Sequence, residues 1–213
     1  MTFQSFSQIE TKQDLFVALF YKHKRDGYFV DVGAYDGRHL SNTYQLEKLF
    51  GWKGVCIEPL QHGFDGLRAH RACTCVHAAA YSVGGLELEF ASSDVLSGIV
   101  EHIDRHTSAL TEPRIKVRTT TVTEELDKAK APAHIDYLSV DTEGSELEVL
   151  RGIDWDRYSF GLLSIEHNSV EPRRTEMRRF LEARGYSYLR ENHWDDDYVR
   201  LEPLAPGAQV TRP

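Results

Sequence analysis

The chain has 213 residues and carries 33 Asp and Glu against 25 Lys and Arg, a formal charge of −8. A phosphate backbone would be repelled by that balance, because the basic runs Lys22 to Arg25 and Arg173-Arg174 with Arg178-Arg179 alternate with acids or suit a solvated helix face; no nucleic-acid partner is expected. No apolar run approaches the roughly 20 residues that span a bilayer, and the opening MTFQSFSQIETKQD lacks the charged-then-apolar layout of a signal peptide, so no membrane partner and a cytoplasmic location are expected.

A chain of this size fits one domain, residues 1–204, with a small polar tail, 205–213, expected to be disordered. Cys56, Cys73 and Cys75 are odd in number and closely spaced, so they read as small buried or surface residues rather than as a disulfide framework.

In chain order, an amphipathic helix is predicted from Asp14 to Tyr21, then a buried strand from Tyr28 to Val32 that breaks at Gly33. A helix from about Ser41 to Phe50 is ended by Gly51 and leads into a buried strand, Gly54 to Ile57. Phe64 to Arg71 suits a helix and Thr74 to Ala79 a third strand. Gly84-Gly85 punctuates a hairpin whose second arm, LELEF, alternates apolar and acidic residues as a half-exposed strand does. A loop rich in Ser, Asp and His follows (92 to 111), then the edge-like KVRTTTVT, whose Thr123 would cap the short helix EELDKA. The alternation resumes with the strand IDYLSVD (135 to 141), the helix GSELEVLRG closed by Gly152, and the strand GLLSIEH (161 to 167). Pro172 suits the first turn of a helix that runs to Gly185, and YSYLRE and YVRLEP read as two strands joined by a polar turn, NHWDDD.

Repeated strand and helix units imply an α/β fold: a mostly parallel sheet with helices on both faces and ligands beyond the carboxyl ends of the strands. The corners to inspect are therefore Asp31 to Gly37, Glu58-Pro59, Ala78 to Ala80, Asp141 to Gly144 and Glu166 to Asn168, four of which carry acid.

The first corner, FVDVGAYDG, resembles a phosphate-cradling turn without being one. A dinucleotide fingerprint needs glycine at 35 and 38, where Tyr35 and Arg38 stand. A pyrophosphate beside Asp31 and Asp36 would also meet repulsion on the order of several kcal/mol at an effective dielectric of about 20. A cationic, phosphate-free ligand reverses that sign. S-adenosylmethionine is one: Gly33 and Gly37 would let the backbone approach it, and Glu58, 25 residues beyond Gly33, is placed to accept from both ribose hydroxyls, a role shared with NAD enzymes that indicates a ribose without choosing the cofactor. Against this, Asp31 and Asp36 could simply cap the turn, and Glu58 could be an exposed acid at a strand end.

The stretches FVDVGAYDGRHLSNTYQLEKLFGWKGVCIEP and IDYLSVDTEGSELEVLRGIDW resemble the FkbM family of S-adenosylmethionine-dependent methyltransferases, in particular the branch with S-N-T after the glycine turn, and the agreement runs from about residue 28 to 170. The resemblance implies a class I methyltransferase (Rossmann-like) sheet of seven strands with the last one antiparallel. It also implies that Asp31, Gly33, Ala34 and Gly37 line the methionine part of the cofactor, that Glu58 binds ribose, that Ala79 and its neighbours flank adenine, and that Ser41 and Asn42 reach the cofactor.

Methyl transfer to a hydroxyl needs a proton acceptor beside the methyl group. The candidates are Asp141 and Glu143 in DTEGSE and Glu166 and His167 in SIEHN, with Asp141 and His167 favoured as catalytic, Glu143 alternatively bonding amides at its helix start, and Glu166 alternatively orienting its neighbours. The same oxygens and imidazole could hold Mg²⁺ or Mn²⁺. His102 and His106, one helical turn apart, lack the Glu of H-E-x-x-H and read as a solvated pair; SGIVEH beside them suits the mouth of a site, and Trp194 could cover a substrate or pack at its hairpin. The expected activity is O-methylation of a small molecule or sugar unit; a dinucleotide-dependent oxidoreductase and a non-catalytic scaffold remain as alternatives, and a homo-oligomer is compatible with the sequence.

Overall fold

The computed structural model describes residues 3–200; the expected disordered tail lies outside them. Helix α1 (Gln13–Phe20) precedes β1 (Tyr28–Val32), α2 (Tyr44–Phe50), β2 (Lys53–Glu58), α3 (Gln61–His70) and β3 (Thr74–His77). An excursion follows: β4 (Ala79–Ala80), β5 (Glu87–Ala91), β6 (Gly98–Ile99) and β7 (Arg114–Thr120), with short 3-10 turns between them. The chain then runs through α4 (Val122–Lys128), β8 (His134–Val140), α5 (Glu146–Arg151), β9 (Ser159–Glu166), α6 (Arg173–Glu182), β10 (Tyr186–Asn192) and β11 (Asp195–Arg200).

The main sheet has seven strands in the order β10-β11-β9-β8-β1-β2-β3. Strands β3, β2, β1, β8 and β9 are mutually parallel, while β11 runs antiparallel to both β9 and β10. Because side chains alternate along a strand, each strand feeds two cores. Val30, Val32, Leu138, Val140, Leu163 and Ile165 meet Val122 and Leu126 of α4, Val149 and Leu150 of α5, and Met177 and Leu181 of α6. On the other face Phe29, Cys56, Tyr137 and Leu162 meet Val17 of α1, Leu46 of α2 and Leu67 of α3. Each large aliphatic side chain so buried contributes about 1.5–3 kcal/mol.

Several boundaries differ from the sequence reading for identifiable reasons. LELEF does not fold back on a preceding arm; β5 pairs antiparallel with β7, and β4 leaves the main sheet to pair parallel with β7 in a second sheet ordered β4-β7-β5-β6. The cap of α4 is Thr121 and not Thr123: T-V-T-E places a reciprocal capping box at 121 and 124, with Glu124 N donating to Thr121 Oγ1 at 3.0 Å. Thr123 instead donates to the carbonyl of Gly152. The largest difference is at NHWDDD. Only His193 and Trp194 turn, and Asp195, Asp196 and Asp197 are buried within β11. Two of these aspartates have cationic partners: Asp196 has Arg174 and Arg178 from α6, and Asp197 has Arg190 across the hairpin together with the Ser164 hydroxyl.

Candidate active site

A cavity of about 1150 Å³, open solvent at its mouth included, lies at the carboxyl ends of β1, β2 and β8. Its walls come from Asp31 to Tyr35, His39 to Asn42, Ile57 to Leu60, Ala79-Ala80, Asp141 to Glu143 and, from the excursion, Phe90, Val95 to Ser97 and Ile99. Gln8, Gln13, Trp194 and Asp195 close the remaining side.

Gly33 is required where β1 turns. Its φ is +82°, and a Cβ there would lie 1.7 Å from the carbonyl oxygen of Asp141, so no side chain fits. Its amide donates to Ile57 O, and Asp141 N donates to Val32 O, binding the turn to the strands on either side. Tyr35 follows with a positive φ of 46°, and its amide donates to Glu58 Oε2 at 2.8 Å while Leu60 N donates to Oε1 at 2.7 Å. Glu58 is thus aimed by one amide on each oxygen, with lone pairs left over for a ligand. Burial is the main cause that raises its pKa, from an ordinary 4.5 to about 7; the two amides oppose this, and Asp141 and Asp31 add to it.

Asp31 is buried in the floor, where it accepts from Thr43 Oγ1 at 2.5 Å. Behind Thr43 stands Arg71, whose guanidinium donates to Thr43 Oγ1, Gly37 O, Ser41 Oγ and Glu47 Oε2. One buried fork therefore fixes the whole segment from the glycine turn to the start of α2. Burial pushes the Asp31 pKa up, and Arg71 and Thr43 pull it back. Asn42 donates through Nδ2 to Ser139 Oγ at 3.1 Å, while its Oδ1 is buried beside the cavity without a protein partner.

Among the predicted cofactor residues, Asp31, Gly33, Ala34, Ser41, Asn42, Glu58, Pro59 and Ala79 all line this cavity. Asp36 and Gly37 do not. Asp36 Oδ1 accepts from the amides of Arg38 and His39 at 2.8 and 2.7 Å, so its carboxylate caps the turn, and Gly37 packs under Leu67 and Arg71. Ser41 lines the wall, yet its hydroxyl accepts from the amides of Thr43 and Tyr44 at the start of α2. Two of the amides at that helix start, those of Thr43 and Tyr44, are therefore already engaged within the chain.

Asp141 and Glu143 also line the cavity; His167 does not. His167 is buried behind the sheet end, its Nδ1 accepting from Ser169 N at 2.8 Å and its Nε2 facing Asp196 Oδ1 at 3.5 Å. It follows Glu166 by one residue, and one step along a strand reverses the side chain, which takes the imidazole away from the acids. Burial lowers its pKa, which Asp196 partly offsets. The neighbour that does join Asp141 and Glu143 is Glu166: each of the three brings a carboxylate oxygen within 4.8 Å of the others. Burial raises the pKa of all three; a hydrogen bond with Glu166 opposes this at Asp141 while Glu146 and Asp31 add to it, and the charges of Asp141 and Glu146 raise Glu143 and Glu166 further. Asn168 Nδ2 steadies Glu143 at 3.3 Å. Three hard oxygen donors converging in this way fit a divalent cation such as Mg²⁺ or Mn²⁺ by ligand chemistry. His102 and His106 are not a pair: His102 Nε2 meets Tyr81 Oη at 2.9 Å and His106 Nε2 faces Glu143 Oε2 at 3.5 Å.

Three residues of the lining carry backbone strain: Tyr35, Leu40 and Glu143 have φ of 46°, 56° and 55°, each costing on the order of 1–3 kcal/mol. Residues that the sequence reading passed over are Thr43, Arg71, Ser139, Gln8, Gln13 and Asp195. The S-N-T motif pointed to Thr43, but Arg71 and Asp195 carried no local signal.

The strand order and the antiparallel β11 define the class I methyltransferase fold. A precorrin-6y C5,15-methyltransferase from Geobacter metallireducens GS-15 shares it at 13% identity and a TM-score of 0.51, with 93% of this chain and 91% of that chain covered. A Methyltransferase FkbM from Methylobacillus flagellatus KT does so at 15% identity and a TM-score of 0.51; 92% of this chain is covered, which spans 56% of that one. No curated protein matches the sequence significantly. The Methyltransferase FkbM domain matches residues 31–188, from the first strand-end aspartate to the start of the final hairpin. The chain therefore belongs to the FkbM family and is an S-adenosylmethionine-dependent methyltransferase.

Proposed function

We propose that the cavity holds S-adenosylmethionine along the ends of β1 and β2 and transfers its methyl group to a hydroxyl of a small molecule or sugar unit. The observation that carries this reading is the charge of the lining: Asp31, Glu58, Asp141, Glu143 and Asp195 contribute, with no Lys or Arg among the described lining residues. A sulfonium with an ammonium is favoured there and a pyrophosphate is not. In this reading Glu58 accepts from the two ribose hydroxyls, Asp31 and Asn42 Oδ1 receive the ammonium, and adenine lies against Pro59, Leu60, Ala79 and Ile99.

The acceptor oxygen attacks the methyl carbon in line as the carbon–sulfur bond breaks. The bonding pair leaves with sulfur as a neutral thioether, and the hydroxyl proton passes to the carboxylate of Asp141 or Glu143. Positioning can supply about 7–11 kcal/mol of the barrier reduction. The raised pKa values of these acids suit a base, because a carboxylate with an ordinary pKa near 4 accepts a hydroxyl proton poorly. A divalent ion bound by Asp141, Glu143 and Glu166 would supply Lewis acidity toward the same hydroxyl, and Mn²⁺ titration followed by electron spin resonance tests for it.

Calorimetry with S-adenosylhomocysteine and with NAD tests the cofactor assignment: micromolar binding of the first and none of the second is expected. Mass analysis of a cell extract incubated with the enzyme and labelled cofactor tests the acceptor. A non-catalytic scaffold would bind the cofactor and label nothing.

A further inference from the structure

Part of the cavity wall is built from parts of the chain outside the family match. Trp194 and Asp195 follow the matched residues 31–188 and Gln13 precedes them, yet all three line the same cavity as Asp141 and Glu143. Resting on the methyltransferase reading above, we propose that Gln13, Trp194 and Asp195 form the acceptor subsite and that it selects an uncharged sugar ring.

This wall is fixed in place from several directions. The carbonyl of Trp194 accepts from His167 N at 2.7 Å and Asn168 N at 3.2 Å, tying the hairpin turn to the end of β9. Asn192 Nδ2 donates to Thr11 O at 3.1 Å, tying the same hairpin to the segment before α1. Asp195 stands opposite Glu166 in the β11–β9 register, so its side chain shares a sheet face with the end of the acid cluster. Its two successors are neutralised by arginines, Asp196 by Arg174 and Arg178 and Asp197 by Arg190. Asp195, only 4% exposed, has the side chain of Gln13 beside it instead. A buried acid that is paired with an amide rather than a cation, and that faces a cavity, is suited to hydroxyl groups, which donate to and accept from both partners.

The indole of Trp194 adds an apolar face next to that polar pair, the combination that a pyranose with one CH-rich face and a rim of hydroxyls requires. Charge sets the rest of the selectivity. With no Lys or Arg among the described lining residues, a phosphate or uronate on the sugar meets no cation there.

The test uses the full chain, S-adenosylmethionine and three neutral probes (methyl α-D-glucoside, methyl α-D-mannoside and methyl α-L-rhamnoside) beside methyl β-D-glucuronide and glucose 6-phosphate. Methylation of at least one neutral glycoside is expected, with both anionic sugars at least tenfold poorer in kcat/KM. Asp195→Asn and Trp194→Ala are expected to raise KM at least tenfold with kcat changed less than threefold, the sign of lost ground-state binding. Trp194→Phe keeps a ring and recovers part of the KM, and circular dichroism of each variant separates misfolding from lost binding. The proposal is overturned if folded variants keep the wild-type KM, if the anionic sugars are methylated as well as the neutral ones, or if no neutral glycoside is methylated. Failure of the wild-type protein to bind S-adenosylhomocysteine would instead refute the cofactor reading on which the proposal rests.

Discussion

Glu58 links cofactor recognition to stability, and the link has a definite sign. Its folded pKa of about 7 exceeds its ordinary 4.5. Between those values the folded chain holds a proton that the unfolded chain has released, so this group stabilises the fold at low pH and loses that contribution as pH rises through 7. For a single site with these two pKa values, the stability difference between pH 5 and pH 8 works out to about 2.5 kcal/mol. Other groups titrate as well. Glu47 and Asp196 have lowered pKa values and stay ionised in both states above pH 5, while the lowered values of His106 and His167 act in the opposite direction near pH 6. Comparing wild type with Glu58→Gln at each pH removes those terms to the extent that the sites are independent. Scanning calorimetry at pH 5, 6, 7 and 8 should therefore show the melting temperature of wild type falling relative to the variant by roughly 5–10 °C across the series, at about 2–4 °C per kcal/mol for a chain of this size. A gap that stays constant with pH, or one that moves in favour of wild type as pH rises, would refute the account of Glu58 as a buried, under-compensated carboxyl.

The other predictions concern single side chains. S-adenosylhomocysteine affinity should rise about tenfold from pH 6 to pH 8 as Glu58 ionises and becomes the better acceptor for ribose, and Glu58→Gln should abolish that dependence in calorimetric titrations. Arg71→Met should destabilise the protein by about 3–5 kcal/mol in urea unfolding, because Glu47 and the Asp31–Thr43 pair lose a buried cation; a change below 1 kcal/mol would show that the fork does not hold the segment. Asp141→Asn should lower kcat by about 10²–10⁴, whereas His167→Asn should leave kcat within threefold and lower only the melting temperature. Asp36→Ala should leave cofactor affinity within twofold while costing about 1–2 kcal/mol of stability through two lost turn hydrogen bonds, and tenfold weaker binding would return Asp36 to the site.

How far the sequence was legible follows from where the signals lie. Strands buried on both faces, such as YFVDV and LLSIE, announce themselves as short apolar runs between glycines and polar corners, so the parallel sheet and its carboxyl-end corners could be read directly. That Glu58 stands at the cavity was legible because spacing from a glycine turn to the end of the next strand is fixed by βαβ geometry. His167 was misplaced because the period of two decides which of two neighbouring residues faces a cavity, and sequence alone did not say whether Glu166 or His167 was in phase. Asp36 was misplaced for a related reason: a turn aspartate that caps its own backbone and one that meets a ligand are the same letter in the same motif.

The run of three aspartates in β11 makes the general case. By composition Asp195 to Asp197 belong to a solvated turn, and propensity argues against a strand. They are nevertheless buried, because Arg174 and Arg178 on α6 bring cations to Asp196 with no local pattern to connect them, and Arg190 lies across the β10–β11 hairpin from Asp197. Long-range charge pairing overrode the local preference at 196, where it offsets the cost of burial, and a cross-strand arginine offsets part of it at 197. At 195 the nearest partners are an amide and other acids, so the cost is carried by the fold. A buried acid at the wall of a cavity, without the arginines that its two neighbours have, is the position at which the proposed acceptor would supply hydrogen bonds.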